Sequence, residues 1–395
     1  MSILYISYDG VLEPLGQSQV LAYLRCLAVN QRVHLISFEK KEDWTNLRDR
    51  LRLAGDLSEA GIIWHPMRYH KRPSLLATSW DIFCGVAVGL WIVIRYRLNI
   101  VHARSYVPCV IALALKRLVG VKYIFDMRGF WADERVDGGL WIRNGKMYSV
   151  AKWFEKRFLL SADHVVVLSH AAIRELASFD YLVARLPPTT VIPTCADLTS
   201  FMPRGNERVR SRFVLGYVGS VGTWYLFDQV VACFSELLRM RPDSQFLIVN
   251  RSEHAIIQAG LSAAGIPSTA VELISAAHVD MPLHICRMDA GVFFIKPVFS
   301  KKASAPTKLA EFLGCGIPCM GNVGVGDMAE ILENERVGVA LSSFTDASIC
   351  AGLQQLLLLA DDPNTRARCV ATAHKHFSLD EGVERYRRIY EQLAG

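Results

Sequence analysis

The sequence predicts an α/β protein built from two Rossmann-like domains, each a parallel sheet covered by helices. Three observations carry this reading. Short apolar runs alternate with helical patterns along the whole chain, which is the rhythm of parallel βα units. The 395 residues are enough for two domains of about 100–200 residues each. The rhythm also breaks once, in a polar, proline-punctuated stretch before residue 213, and then restarts. A composition of 51% apolar and 21% charged residues builds cores and excludes wholesale disorder.

In the first half the strands are expected at 3–7, 33–37, 62–66, 99–103, 122–126, 164–168 and 190–192. Their continuous apolar character suits strands buried on both faces. Helical patterns lie between them at 18–29, 107–118, 152–160 and 171–178. Pro187, Pro188 and Pro193 then interrupt the chain, and 202–212 (MPRGNERVRSR) reads as the interdomain linker. In the second half strands are expected at 213–218, 245–249, 271–274, 290–295, 317–320 and 337–341. Helices are expected at 226–240, 253–264, 282–287, 307–313, 328–332 and 347–360. The resulting domains are 1–204 and 205–376, and 377–395 holds a closing charged amphipathic helix at 379–393. Two such halves imply a ligand cleft at the carboxyl edges of their sheets.

The formal charge of +6 is unevenly spread. Residues 1–200 hold 25 Lys/Arg against 18 Asp/Glu, and the remainder holds 19 against 20. The surplus is modest, and with no zinc finger, basic helix or RNP-type aromatic stripe to support it, nucleic acid is not the expected partner. The ten cysteines are scattered, mostly through apolar segments, with no CxxC or zinc spacing. They read as reduced core thiols of a reducing compartment. Residues 1–7 (MSILYIS) read as a first strand rather than a signal peptide, so the expected location is the cytoplasm.

One apolar segment, 82–94 (IFCGVAVGLWIVI), raises the membrane question. At 1.5 Å per residue it spans about 20 Å, short of the roughly 30 Å hydrocarbon core. Extension back to Pro73 reaches the length but includes Asp81. A buried helix of the domain is the leading reading, with shallow membrane contact and a true span beside it. Arg68, His70, Lys71 and Arg72 precede the segment, which points to peripheral docking on an anionic membrane surface, such as the inner face of the cytoplasmic membrane.

The second half opens on Gly216-Tyr217-Val218-Gly219-Ser220-Val221-Gly222, a glycine-rich turn between strand and helix. Such a turn either binds phosphate or is an ordinary βα turn. It is not the GxGxxG dinucleotide fingerprint, and Asn250-Arg251 stands where an acidic residue would close the next strand. Downstream, a strand ending at Lys296 leads into a loop with Ser300, Lys301, Lys302 and Ser304, followed by Pro306-Thr307-Lys308. Pro306 fits the first turn of a helix with Ser304 or Ala305 at its cap. A helix start lined with Ser, Thr and Lys suits a diphosphate. Lys308 and Glu311 share one helical face. They form either a solvated pair or a site in which Lys308 reaches phosphate and Glu311 accepts from a ribose.

The block SxPTKLxEFLxCGIP over 304–318, followed by Gly324-Val325-Gly326-Asp327, resembles the donor-site signature of family 4 (group 1) glycosyltransferases. The resemblance extends over nearly the whole chain. It includes Tyr8-Asp9-Gly10 with Gly16, Val101-His102-Ala103-Arg104-Ser105, Glu155 with the 162–169 segment, and Val191–Asp197. It implies the GT-B fold and a final helix that crosses back onto the first domain. It also implies an enzyme, a hexosyl- or N-acetylhexosaminyl-transferase, that moves sugar from a nucleotide-diphosphate donor with retention. The acceptor would be a lipid-linked or polysaccharide glycan of cell-surface biosynthesis. No metal or other cofactor is implied, in keeping with the lack of a DxD sequence.

Carried over by position, Gly219, Ser220, Ser304, Thr307 and Lys308 would surround the diphosphate and Glu311 would hold the ribose. Two departures stand out. The acid expected at 303 is Ala303, and Thr223-Trp224-Tyr225 replace the basic residues after the glycine loop. Lys296 or Arg251 would compensate. On the acceptor side the expected residues are Asp9, Gly10, Gly16 and Arg104. Asp126 and Arg128, which follow a strand, join Lys308 and Glu311 as catalytic candidates, against the alternative of a strand-end salt-bridge network. His102 and His164 read as core histidines. A nucleotide-sugar epimerase and a non-catalytic nucleotide-sugar-binding protein are the competing readings.

Overall fold

The computed structural model describes residues 2–204 and 212–395. The chain divides into two compact units, one of Met1–Ile192 with Leu379–Gly395 and one of Pro193–Ser378. The division thus falls earlier than 204/205. Residues 193–204 side with the second unit because Phe201 joins that unit's core and Ala196 bridges Ser378. The 205–211 part of the expected linker lies outside the described residues.

The first unit carries a seven-stranded sheet in the order β3-β2-β1-β4-β5-β6-β7. Its strands are β1 (Ser2–Ser7), β2 (Arg32–Glu39), β3 (Ile62–Arg68), β4 (Ile100–Arg104), β5 (Lys122–Asp126), β6 (His164–Val167) and β7 (Thr189–Val191). Every pairing is parallel. The apolar runs read from sequence are the buried faces of these strands, down to Leu4, Ile6, Val101 and Ile124 with no exposed surface. This strand order leaves a switch point between β1 and β4, the place where open sheets of this kind bind ligands.

The second unit repeats the plan with six strands in the order β10-β9-β8-β11-β12-β13. These are β8 (Val214–Val218), β9 (Gln245–Val249), β10 (Val271–Ile274), β11 (Ala290–Val292), β12 (Cys319–Asn322) and β13 (Gly338–Leu341). Its switch point lies between β8 and β11. β11 is shorter than the apolar run 290–295. After Val292 the run leaves the ladder, because the side chain of buried Asn322 clamps Ile295 at both its N–H (2.8 Å) and its C=O (2.9 Å).

Helices Leu47–Glu59 and Thr365–Phe377 escape the sequence reading. Leu47–Glu59 is crowded with charges and buries only Leu53 and Leu57, so its apolar stripe is too thin to register. The apolar segment 82–94 is part of a longer helix, Ser74–Tyr96. The expectation of a buried helix needs correction, since this one is buried on one side only. Ala77, Asp81, Ile92 and Val93 face inward while Trp80, Phe83 and Trp91 are exposed. All ten cysteines are free thiols, and seven of them are buried.

Candidate functional site

In the second unit the chain after β8 turns at Gly219, where φ is +96°. A Cβ there would sit 3.0 Å from the Lys308 Cε, so glycine both makes the turn and admits the lysine. Three of the loop's amides are engaged within the chain. Gly219 N–H donates to the Val249 carbonyl (2.9 Å), Val221 N–H to Glu253 (3.0 Å) and Gly222 N–H to the Ser220 hydroxyl (3.4 Å). Asn250 sets this up. Its side-chain amide donates to the Gly219 carbonyl and to Glu253, both at 3.0 Å. Burial works against the Glu253 charge, but these hydrogen bonds hold its carboxyl below the usual range. Glu253, which the motif does not announce, is the acid that fills the glycine turn.

The second loop is different. Helix Thr307–Gly314 begins after Pro306, which occupies the cap position itself, and no side chain caps it. Neither Ser304 nor Ala305 plays the cap expected of it. Ser304 instead ends the 3₁₀ turn Phe299–Ala303. The uncapped first turn, with Thr307 and Lys308 in it, keeps the partial positive charge of a helix start. Lys308 is buried, and its Nζ makes no hydrogen bond. It lies 3.6 Å from the Tyr225 ring centroid and 4.7 Å from that of Tyr217. Burial drives its ammonium down to about 7, against the pull of Glu311 and Glu253. Glu311 is buried beside it, and burial raises its carboxyl to about 7 against the pull of Lys308.

Aromatic residues thus occupy the segment where basic ones were wanted. Tyr225 covers Lys308 and Trp224 covers Lys301, with Nζ 3.8 Å from its ring centroid. Thr223 takes φ of +51°, a left-handed conformation for a β-branched residue, to deliver them. Arg251 and Lys296, offered as compensation, stand apart from the Lys308–Glu311 pair. Both are exposed, and among the described residues neither makes a polar contact with Lys308 or Glu311. Ala303 is 2% exposed and belongs to the interior.

In the first unit the residues after β1, β4 and β5 converge. Asp126 is fully buried. It accepts from Tyr386 (2.9 Å) and lies 3.4 Å from the His102 Nε2. The Arg128 and Arg104 guanidinium groups approach within 3.8 and 3.9 Å. Burial opposes its charge, yet Arg128, His102 and Arg104 hold the carboxyl down at about 2. His102 also pairs with Tyr390 (2.6 Å). This corrects the catalytic assignment of Asp126. The group is an internal anchor that ties the closing helix Leu379–Ala394 to β4 and β5. Arg128, also paired with Gln19, serves the same anchor. His164 is a core histidine bound to Thr190 (2.8 Å), pushed down to about 4 by burial.

The acceptor-side candidates divide in two. Gly10 and Gly16 shape the loop, because a Cβ on Gly16 would lie 2.1 Å from the Gly10 carbonyl. Glu39 then holds this loop through Val11 N–H (3.0 Å) and Leu12 N–H (3.2 Å). Asp9 is half exposed, 3.9 Å from the Arg104 Nε, and lines a cavity of about 670 Å³ within the unit. Tyr8, Tyr69, Tyr106, Trp131 and Trp141 also line it. Sequence reasoning singled out none of these aromatics as site residues. Their signal was position: Tyr8, Tyr106 and Trp131 follow the ends of β1, β4 and β5. Ser105, with φ of +69°, also lies on its wall, and strain in a non-glycine residue at a strand end marks functional sites.

Among the described residues no group of three or more His, Cys, Asp and Glu side chains could hold a metal ion. Residues 18–195 match the family described as glycosyl transferase 4-like domain. No curated protein matches the chain. Solved structures do. Sucrose-phosphate synthase from Thermosynechococcus elongatus superposes with a TM-score of 0.75 at 15% identity, covering 100% of this chain and 99% of that one. The Anabaena protein HepE, in complex with UDP and glucose, gives 0.69 at 13% with both chains fully covered. A lipopolysaccharide outer core galactosyltransferase, WaaB, gives 0.66 at 13%, covering 99% and 100%. At these identities the likeness speaks for the fold.

Proposed function

We propose that the chain, which carries a glycosyl transferase 4-like match over residues 18–195 and the fold of GT-B enzymes, is a group 1 glycosyltransferase that transfers a hexose or N-acetylhexosamine from a nucleoside-diphosphate donor to a glycan or lipid-linked acceptor. The observation that carries the donor half is the Lys308 ammonium, buried without a hydrogen-bond partner in the first turn of an uncapped helix. A buried cation with no partner is costly. An arriving diphosphate supplies the missing anion, and HepE binds UDP on the same fold. In this reading Lys308 and the helix start meet the charge that grows on the leaving diphosphate, and Glu311 accepts from the ribose hydroxyls.

The acceptor half rests on the aromatic cavity of the first unit. Flat aromatic walls suit the apolar faces of sugar rings, and Asp9 with the nearby Lys40 gives polar contacts at its edge. The anomeric bond to diphosphate breaks, a bond to the acceptor hydroxyl forms, and the hydroxyl proton ends on the released diphosphate. The anomeric configuration is retained, and protein groups rather than a metal or other cofactor carry the charge. In this reading the products belong to cell-surface glycans; WaaB, a lipopolysaccharide outer core galactosyltransferase, shares the fold.

The test is a thermal-shift panel of UDP-, GDP-, ADP- and TDP-sugars followed by turnover with the stabilising donor. One donor at a hundred times its Kd should stabilise the chain by about 2.7 kcal/mol. No response to any nucleotide removes the reading, and a product of inverted configuration by NMR removes the retaining mechanism.

A further inference from the structure

We propose that one side of the first unit is a seat for an anionic lipid bilayer, formed by the outer face of helix Ser74–Tyr96 and by the segment 138–160. Two observations carry this independently of the donor site.

The first is the helix itself. Its inner face packs on the domain, with Gly85 against Ile111 and Phe38 and with Gly89 against Leu115 and Leu4. Asp81, its one carboxylate, is turned inward and bound by Tyr8 (2.9 Å) and His70 (2.6 Å). The outer face presents Leu76, Trp80, Phe83, Trp91 and Ile94, all exposed, with Phe83 at 64%. Their spacing places them in one stripe along 23 residues. The helix is apolar and long enough to cross a membrane. Docked by its glycine face, it is placed to lie along a surface instead.

The second is the segment 138–160. Leu140, Ile142, Val150 and Trp153 are exposed, Ile142 at 83%. Its only carboxylate, Glu155, is buried against Tyr106 and Lys152. Both segments reach the same cavity, which Leu75 lines from one and Leu140, Trp141 and Met147 from the other.

The charge pattern selects the occupant. Lys71, Arg72, Arg95 and Arg97 flank the helix, and Lys146 and Lys156 lie in the second segment, all exposed. No exposed carboxylate stands among the apolar residues of either. Exposed tryptophans with a basic rim, and no acid, match the interface of an anionic bilayer. The seat then brings the aromatic cavity, the acceptor site of the proposed function, to the lipid surface, where a lipid-linked acceptor would present its head group. That last step rests on the acceptor reading, whereas the seat does not.

The experiment is co-sedimentation of the full chain with vesicles rich in phosphatidylglycerol, set against vesicles of phosphatidylcholine alone. Nucleotide binding is measured on the same samples without vesicles. Binding is expected to the anionic vesicles, to weaken with added salt, and to fall by about tenfold or more in the double variant Trp80→Ser, Phe83→Ser. The replaced side chains are exposed, so the thermal midpoint and the nucleotide affinity should hold. Arg95→Gln with Arg97→Gln should reduce binding without touching the apolar stripe. Absence of vesicle binding, or equal binding by the double variant, overturns the proposal. So does a wild-type chain that dimerises in light scattering while the double variant is monomeric, since the face would then belong to a second copy. A nucleotide titration that fails while vesicle binding holds would strike the donor reading alone.

Discussion

The Nζ of Lys308 sits 3.6 Å from the centroid of the Tyr225 ring, with no hydrogen bond to any of the described residues. A ring face attracts a cation by about 0.5–2 kcal/mol, which falls short of the cost of its burial. The lysine is held at an energetic loss, as binding residues often are. Lys308→Met should therefore raise the thermal midpoint or leave it unchanged at neutral pH, and should abolish nucleotide-sugar binding. A clear loss of stability with binding intact would show that the lysine serves the core.

Proton linkage offers a sharper test of the same pair. Lys308 is lowered and Glu311 raised, both to about 7. At about pH 8 the lysine is mostly neutral and the glutamate mostly ionised, so a diphosphate that charges Lys308 must take up a proton. At about pH 6 the lysine is already charged and the glutamate mostly protonated, so ribose hydroxyls that favour its carboxylate must release one. Calorimetry in two buffers of different ionisation enthalpy should show uptake at the higher pH and release at the lower. No change of sign would remove one of the two assigned roles.

For stability without ligand the signs follow from the same values. A carboxyl raised in the folded state loses stability as pH climbs from its unfolded value near 4.5 towards 7. An ammonium lowered in the folded state gains stability as pH climbs from about 7 towards 10.5. The pair therefore contributes least near neutrality. Glu311→Gln should flatten the acid side of this profile in denaturant titrations, and an unchanged profile would contradict the burial of the free carboxyl.

Asp126 should behave as an anchor. Asp126→Asn leaves Arg104 and Arg128 without their shared anion, and breaking a buried pair costs about 3–5 kcal/mol. The wild-type contribution of this carboxylate, held at about 2, is present above its unfolded value near 3.8 and is lost as pH falls towards 2. Urea unfolding should show the stability loss, with the donor affinity of any folded fraction unchanged. A variant as stable as wild type but catalytically dead would restore Asp126 to the active site.

The aromatic cavity is tested by Trp141→Ala. The residue lines the cavity and packs edge-on to Trp131 at 5.0 Å. The expected outcome is an acceptor KM raised by about tenfold, in keeping with the 1–3 kcal/mol lost when a stacking aromatic is removed. The donor Kd should not move. Equal acceptor KM values in variant and wild type would place the acceptor elsewhere.

The two-sheet plan was legible because buried parallel strands write themselves as continuous apolar runs, and all thirteen strands overlap the expected positions. Lys308 and Glu311 were legible through their spacing on one helix. Arg251 and Lys296 do not join that pair, because a basic residue near a motif carries no direction, and both side chains are exposed. Asn250 and Glu253 went unread since their role, filling the glycine loop, exists only when β8 and β9 lie side by side.

Periodicity along the chain is a local property, so the amino-acid sequence by itself determined the strands, the fold class and the uneven charge of the two halves. Burial and pairing are properties of distant residues brought together, and only the tertiary structure decided them. The fold buried Asp126 beneath Tyr386, seated Lys308 under Tyr225, and turned one face of an apolar helix outward. The carboxylate and the ammonium look alike in sequence, both polar groups close to a strand end or helix start. Four polar partners arrive around Asp126, whereas among the described residues no hydrogen-bonding group reaches the Lys308 Nζ, which makes one a structural anchor and, in the proposed function, leaves the other poised for a ligand.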